Sequence, residues 1–426
     1  MAVGAQPRVL AIMGSGETSP TMVTAHKALA ARLAPGHRSA ILLDTPYAFQ
    51  ENAEDISSRS QAYFARSVGL RVEVISDIGR DPATGPPGAH LAAIRTADWV
   101  FAGPGSPTYA LDRWRGQVAH ALRDRIAAGT GLTVIASAAA AAIGCLALPV
   151  YEVYKVGADP HWLEGLDLLS VLGLKVALIP HYDNAEGGTH DTRFCYLGER
   201  RLAMIEPQIP ADAAVLGVDE HTALVLDLET QDVQVLGRGG ATVRKAGVST
   251  VLRAGSALTL TELRGLVKSG VAAEPARHAV AREPAQEAGG EAADVAVTAE
   301  LPELTAAAER QFDSAARDRD SSGMVAAILD LESAIEAWAS DTDENDNADR
   351  ARAVLRGLVT RLGKSADAGL VDPADRLRPV VEPLIRLRES FRKEGQYSAA
   401  DEIRTALTAG GIELRDSPGG TQWSHR

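Results

Sequence analysis

From Arg8 to about Leu260, short apolar runs alternate with stretches of helical spacing. RVLAIM (Arg8–Met13), SAILLD (Ser39–Asp44), RVEVIS (Arg71–Ser76), DWVFAG (Asp98–Gly103), LTVIAS (Leu132–Ser137) and KVALIP (Lys175–Pro180) are β-branched and nearly continuous in apolar residues. Strands covered on both faces read this way. Pro20–Leu33, Glu51–Leu70 and Gly116–Ala128 instead repeat apolar positions at helical intervals. The alternation predicts an α/β fold, a parallel sheet flanked by helices. Beyond His181 the closely spaced runs of AAVLGVDEHTALVLDLETQDVQVLG predict a hairpin-like extension of that sheet.

The pattern then changes twice. The stretch from about Val271 to Glu300 is rich in Ala, Glu, Pro and Gly, with no aromatic residue and little periodicity, which predicts a flexible linker within 261–300. From Leu301 to about Leu407 the spacing is almost wholly helical, broken by the acidic DTDENDNAD (Asp341–Asp349) and by prolines. The expected organisation is an α/β domain over 1–260, the linker over 261–300 and an all-α domain over 301–426. A chain of 426 residues is too long for one typical core, which agrees.

Composition narrows the function. No apolar run is long enough to span a bilayer, and the start of the chain reads as a first strand entering a Gly-rich loop rather than a signal peptide. The two cysteines, Cys145 and Cys195, supply neither a disulfide framework nor a zinc site, so a cytoplasmic protein without metal or cofactor is expected. A net charge of -13 disfavours non-specific nucleic-acid binding, leaving any RNA contact to a local basic surface.

Three segments carry candidate chemistry. LTVIASAAAAAIG places Ser137 between a buried strand and small residues that open a helix, a turn that exposes a hydroxyl above the carboxyl edge of the sheet. The following N–H groups, that of Ala138 first, would face an oxyanion. Alone, this segment reads first as an N-capping serine on a buried helix. KVALIPHYDN sets His181 at another strand end, expected on the same edge of the same sheet, and a Ser and a His so placed suggest a nucleophile and its base. His190 is the runner-up base. FAGPGSPTYAL ends a third strand in a Gly-rich turn, where Gly105 allows close backbone approach and a second oxyanion donor.

In this order the segments resemble dipeptidase E-like peptidases and cyanophycinases, serine enzymes of the class I glutamine amidotransferase-like fold. GPGS (Gly103–Ser106) resembles that group's GGN turn, SAAA (Ser137–Ala140) its SAGA nucleophile motif, and PHYDN (Pro180–Asn184) its His-aromatic strand end. GVDEHTAL (Gly217–Leu224) is similar to its GIDE…TAL segment and MGSGE (Met13–Glu17) to its GGGE loop. The resemblance implies that Ser137 attacks a carbonyl, that His181 takes the proton and passes it to the leaving amine, and that an acid orients His181. Glu152, fifteen residues past Ser137, stands where dipeptidase E has its triad Asp; Asp219 and Glu220 are the alternatives. Arg193, Asn184 and Glu17 are the expected substrate-binding residues. The departure is Ala139 in place of the second Gly of SAGA, whose methyl group is expected to narrow the space around the nucleophile.

The tail resembles the C-terminal domain of cysteinyl-tRNA synthetases. Arg388, Phe391-Arg392, Tyr397, Ala400-Asp401, Ile403-Arg404, Leu407, Gly411-Ile412, Leu414, Asp416, Gly420-Thr421 and Trp423 stand at that family's recurring positions. Leu384, Leu387, Phe391, Tyr397, Ala400, Ile403 and Leu407 are expected to form the buried faces of a helical hairpin. HIGH and KMSKS motifs and zinc-ligand cysteines are absent, so amino-acid activation is not expected. In the synthetases this domain contributes to tRNA binding, which makes Arg388 and Arg392 the residues implied for tRNA contact. The combined expectation is a serine hydrolase of peptide or amide bonds in Asp-containing or aminoacyl small molecules, fused to a tRNA-related domain. The alternatives are a tRNA-associated aminoacyl or peptidyl ester hydrolase and an inactive binding protein.

Overall fold

The computed structural model describes residues 7–34, 39–76, 88–129, 131–187, 189–270, 277–278, 299–342, 346–368, 373–417 and 420–425. Each expected strand is present: β1 (Arg8–Met13), β2 (Ala40–Leu43), β3 (Glu73–Ile75), β4 (Trp99–Ala102), β5 (Gly131–Ala136) and, after short β6 (Leu146–Ala147) and β7 (Leu163–Glu164), β8 (Val176–Ile179). The first five form a parallel block in the order β1-β5-β4-β2-β3. Successive residues of β1 serve opposite faces: Val9, Ala11 and Met13 pack in one core, Leu10 and Ile12 in the other. This is the two-residue period of a strand buried on both sides.

The hairpin-like region extends this sheet and also builds a second one. β9 (Ala214–Val218) lies parallel to β8 in a six-stranded sheet with β12 (Gly240–Lys245) and β13 (Val248–Arg253). β10 (Thr222–Asp227) crosses back to pair antiparallel with β1, followed by β11 (Asp232–Gly237) and β14 (Ser256–Thr259). The single sheet expected from the strand pattern is therefore two mixed sheets. Ser137 follows β5 in the first and His181 follows β8 in the second, so they do not share a sheet edge.

The chain divides into two compact units, one of residues 1–300 with Ala337–Asn345, the other of Leu301–Glu336 with Asp346–Arg426. In the first, α8 (Leu260–Ser269) occupies the start of the stretch expected as linker. A capping box at Thr259 and Glu262 begins it, and Leu260, Leu263, Leu266 and Val267 are buried. Most of the remainder of 271–300 lies outside the described residues.

The second unit is helical as expected: α9 (Leu301–Arg317), α10 (Ser321–Ala337), α11 (Asn347–Ala368), α12 (Pro373–Lys393) and α13 (Tyr397–Ala409). It ends in a hairpin of β15 (Ile412–Ser417) and β16 (Gly420–His425). The buried stripe of α12 runs through Val381, Ile385 and Arg388, with Leu384 partly buried, while Leu387 and Tyr397 are exposed. The sequence pattern misses this stripe because its last member is an arginine.

Candidate active site

Ser137 is the first residue of the helix Ser137–Ala142 and has a φ of 46°. A left-handed conformation at a non-glycine residue costs energy and is retained where the neighbouring structure imposes it. Here β5 leads straight into a helix of six small, buried residues, which leaves the turn little slack. The N–H of Ala139 is taken by the carbonyl of Gly103, joining the Ser137 turn to the Gly-rich turn after β4. Ala139 itself belongs to the apolar core. Its methyl group therefore fills the interior rather than narrowing the substrate space, contrary to expectation. Gly105, at a φ of 129°, packs its Cα against the carbonyl of Pro46, where a Cβ would lie 2.1 Å from that oxygen.

Although on different sheets, Ser137 and His181 meet: Oγ lies 2.9 Å from His181 Nε2. His181 also has a left-handed backbone, φ 47°. Its Nδ1 lies 2.8 Å from Glu220 Oε1. A carboxylate only accepts, so Nδ1 carries the proton and donates it to Glu220, leaving Nε2 to accept from the serine hydroxyl. Asn184, fully buried, donates to the same Glu220 oxygen at 3.0 Å. Burial pushes the Glu220 carboxyl up, but hydrogen bonds from His181 and Asn184 and the nearby His181 and His221 rings outweigh it and hold it below the usual carboxylate range.

The carboxylate at His181 is thus Glu220, one of the alternatives, and not Glu152. Glu152 begins a separate helical turn, Glu152–Val156, with one carboxylate oxygen buried and no hydrogen-bond partner for it among the described residues. The reason is topological. Asp219–His221 joins β9 in the second sheet to β10 in the first, and Tyr182 N–H pairs with Val218 O at 3.1 Å, so the two connections run side by side. Asp183 completes the clamp by accepting the Glu220 N–H at 2.7 Å. Position along the chain after Ser137 contains none of this information.

The other expected site residues fall into two groups. Glu17 is fully buried against the Gly-rich turn, with Oε1 2.6 Å from where a Cβ on Gly103 would stand. Asn184 supports Glu220 from the interior. Arg193 points elsewhere: both its Nε and Nη2 bind the Asp191 carboxylate, at 2.9 Å each, and the guanidinium lies over Phe194. His190, exposed, stacks near Tyr154. Tyr154 also lies against Tyr196, which in turn approaches the His181 ring at 6.3 Å. Tyr196 is carried there by three successive left-handed residues, Phe194, Cys195 and Tyr196, a turn with no glycine to announce it. In the second unit, Arg388 is buried and held by both oxygens of Asp416 at 2.9 and 2.8 Å, whereas half-exposed Arg392 makes one contact to the same carboxylate.

This chain shares a segment with cysteine–tRNA ligases. It is 32% identical over 133 residues to the ligase of Synechococcus sp. (strain CC9902), covering 28% of this chain and 27% of that one. It is 36% identical over 112 residues to the ligase of Dehalococcoides mccartyi (strain ATCC BAA-2266 / KCTC 15142 / 195), covering 25% and 22%. The chain therefore spans about a quarter of the length of these relatives, and the extent of the match is consistent with the C-terminal helical region. Among solved structures, a peptidase from an acI-B1 Actinobacterium aligns over 60% of this chain and 98% of its own, at 20% identity and a TM-score of 0.47. No family model matches. Among the described residues no helix is long and apolar enough to cross a membrane, and no cluster of ligands suits a metal ion.

Proposed function

We propose that the first unit is a serine-nucleophile hydrolase of peptide or amide bonds. The observation that carries this is the hydrogen-bonded series Ser137 Oγ, His181 Nε2, His181 Nδ1 and Glu220 Oε1, with two of its three members in strained backbone conformations. In the reaction Ser137 attacks the substrate carbonyl while its proton passes to His181 Nε2. The resulting imidazolium is stabilised by ionised Glu220. His181 then returns the proton to the leaving amine, and a water molecule, activated in the same way, releases the acid and restores Ser137. The Ala138 N–H, in the first helical turn where an intrahelical partner is lacking, and the Gly105 turn supply oxyanion donors.

Labelling by a fluorophosphonate probe tests the assignment. Wild-type protein is modified at Ser137, and Ser137→Ala protein is not. Equal modification of both proteins, or of neither, removes the proposal. His181→Ala is expected to slow turnover by about 10⁴ with the fold intact. The same loss on changing His190 would transfer the role of base.

For the helical unit, the likeness to cysteine–tRNA ligases supports contact with tRNA. Arg392, with its guanidinium partly exposed, is the first residue to test there; Arg388 is committed to Asp416.

A further inference from the structure

Between α10 and α11 the chain leaves the second unit, because Ala337–Asn345 belongs to the first. Trp338 is 8% exposed and Thr342 2%. The Thr342 N–H donates to Thr18 Oγ1 at 2.9 Å, and the two hydroxyls lie 2.8 Å apart. Arg59 donates to the carbonyl of Asp341 at 2.9 Å. The ring of Trp338 stands edge-on to His221, with centroids 5.9 Å apart at 80°. A surface loop between two helices is normally polar and loosely held. This one buries its tryptophan and pairs its backbone within the α/β unit.

Both anchors lie one residue from a member of the site. Thr18 follows Glu17, and His221 follows Glu220. The anchors are also bound to each other's neighbours. Ser19 and Thr21 hydroxyls lie 3.3 and 2.9 Å from His221 Nδ1, the His221 N–H donates to Ser15 O at 3.2 Å, and Gly14 N–H donates to Thr222 O at 3.0 Å. Gly16 has no room for a side chain, since a Cβ would lie 2.1 Å from His221 Nδ1. His221 keeps a left-handed backbone, φ 50°. Glu220 is therefore set from two sides: Asp183 and Asn184 hold one, and the Gly14–Thr21 loop with His221 holds the other. Trp338 and Thr342 press that second side into place.

Resting on the reading of Ser137, His181 and Glu220 as the reacting centre, we propose that the strap Trp338–Thr342 is a positioning element of the hydrolase site. It acts through His221 and Thr18 to fix the Glu220 carboxylate against His181. Trp338 and Thr342 touch no reacting atom in this scheme; their effect is on the geometry of the acid that orients the base. Errors of about 1 Å in such geometry cost about 100-fold in rate.

The test uses the full chain and two readouts. The first is the rate of Ser137 labelling by a fluorophosphonate. Trp338→Ala and Thr18→Val are expected to slow it between about 10- and 100-fold, while Trp338→Phe and Thr342→Ser, which keep the ring edge and the hydroxyl, restore most of it. The second is hydrogen exchange, which needs no catalysis. Trp338→Ala is expected to speed exchange in peptides covering 14–22 and 217–224, leaving the sheet strands β4 and β5 protected. Unchanged labelling and exchange overturn the proposal. So does a rate loss that comes with uniformly faster exchange throughout the first unit, or one that the conservative variants fail to restore. If wild-type protein is not labelled at all, the hydrolase reading fails by itself, and exchange at 217–224 still decides whether the strap holds that segment.

Discussion

Neighbouring carboxylates in the site are driven in opposite directions. Glu220 is held ionised by its hydrogen bonds, whereas Asp219 is pushed up to about 6 by burial, with Asp183 and Glu220 adding repulsion against the opposing hydrogen bond from Gly240. Folded protein therefore binds a proton at Asp219 between pH 3.8 and about 6 that unfolded chain has released. The contribution of Asp219 to stability is present at the acid end of that window and lost as pH rises through about 6. Asn at this position still accepts the Gly240 N–H without carrying charge. The melting temperature of Asp219→Asn relative to wild type should rise between pH 4 and pH 7.5, measured in parallel thermal melts; a falling difference contradicts the account. Glu220 is tested by amide substitution. In Glu220→Gln the side-chain NH₂ competes with Nδ1–H and favours the wrong tautomer, which should slow Ser137 labelling by about 10³–10⁴. Glu152→Gln should leave the rate nearly unchanged.

At the scale of elements, the short helix after β5 and the arginine-lined α12 show how much a residue's type reveals. Ser137–Ala142 is legible because a buried strand followed by small residues has few other solutions. The face of α12 is less so. Its stripe ends on Arg388, whose guanidinium is neutralised by Asp416 and whose stem takes the place of an apolar residue. The side chain of Asp416 also accepts from Thr421 and Arg392, and these contacts, led by Arg388, hold its carboxyl well below the ordinary range. Arg388→Ala should destabilise the helical unit by about 1–3 kcal/mol, because the surviving carboxylate is partly solvated. Denaturant unfolding followed by hydrogen exchange in peptides covering 373–425 measures this, and a change near zero would return Arg388 to the surface contacts.

For the whole molecule, the net charge of -13 sets the terms of any meeting with tRNA. Association is expected to be weak and to fall steeply as salt is raised, since it depends on a few local cations against an unfavourable overall field. A gel-shift series on the full chain from low to moderate salt, with Arg392→Ala beside wild type, checks this. Loss of affinity in the variant at low salt is the expected result; salt-independent binding, or none at low salt, removes tRNA as the partner.

The run of apolar strands and helical spacings determined the α/β and helical parts, their order, and the strand ends that carry Ser137 and His181, because periodicity and turn chemistry are local properties. The tertiary structure decided what local pattern does not encode. It divided the strands between two sheets, placed Glu220 rather than Glu152 on His181, and drew Trp338 and Thr342 out of a helical region into the α/β unit. Each depends on segments far apart in sequence approaching within hydrogen-bond distance, Thr18 and Thr342 being 324 residues apart. No spacing rule along a chain carries such contacts; the path of β9 and β10 between the sheets and the packing of Trp338 against His221 do.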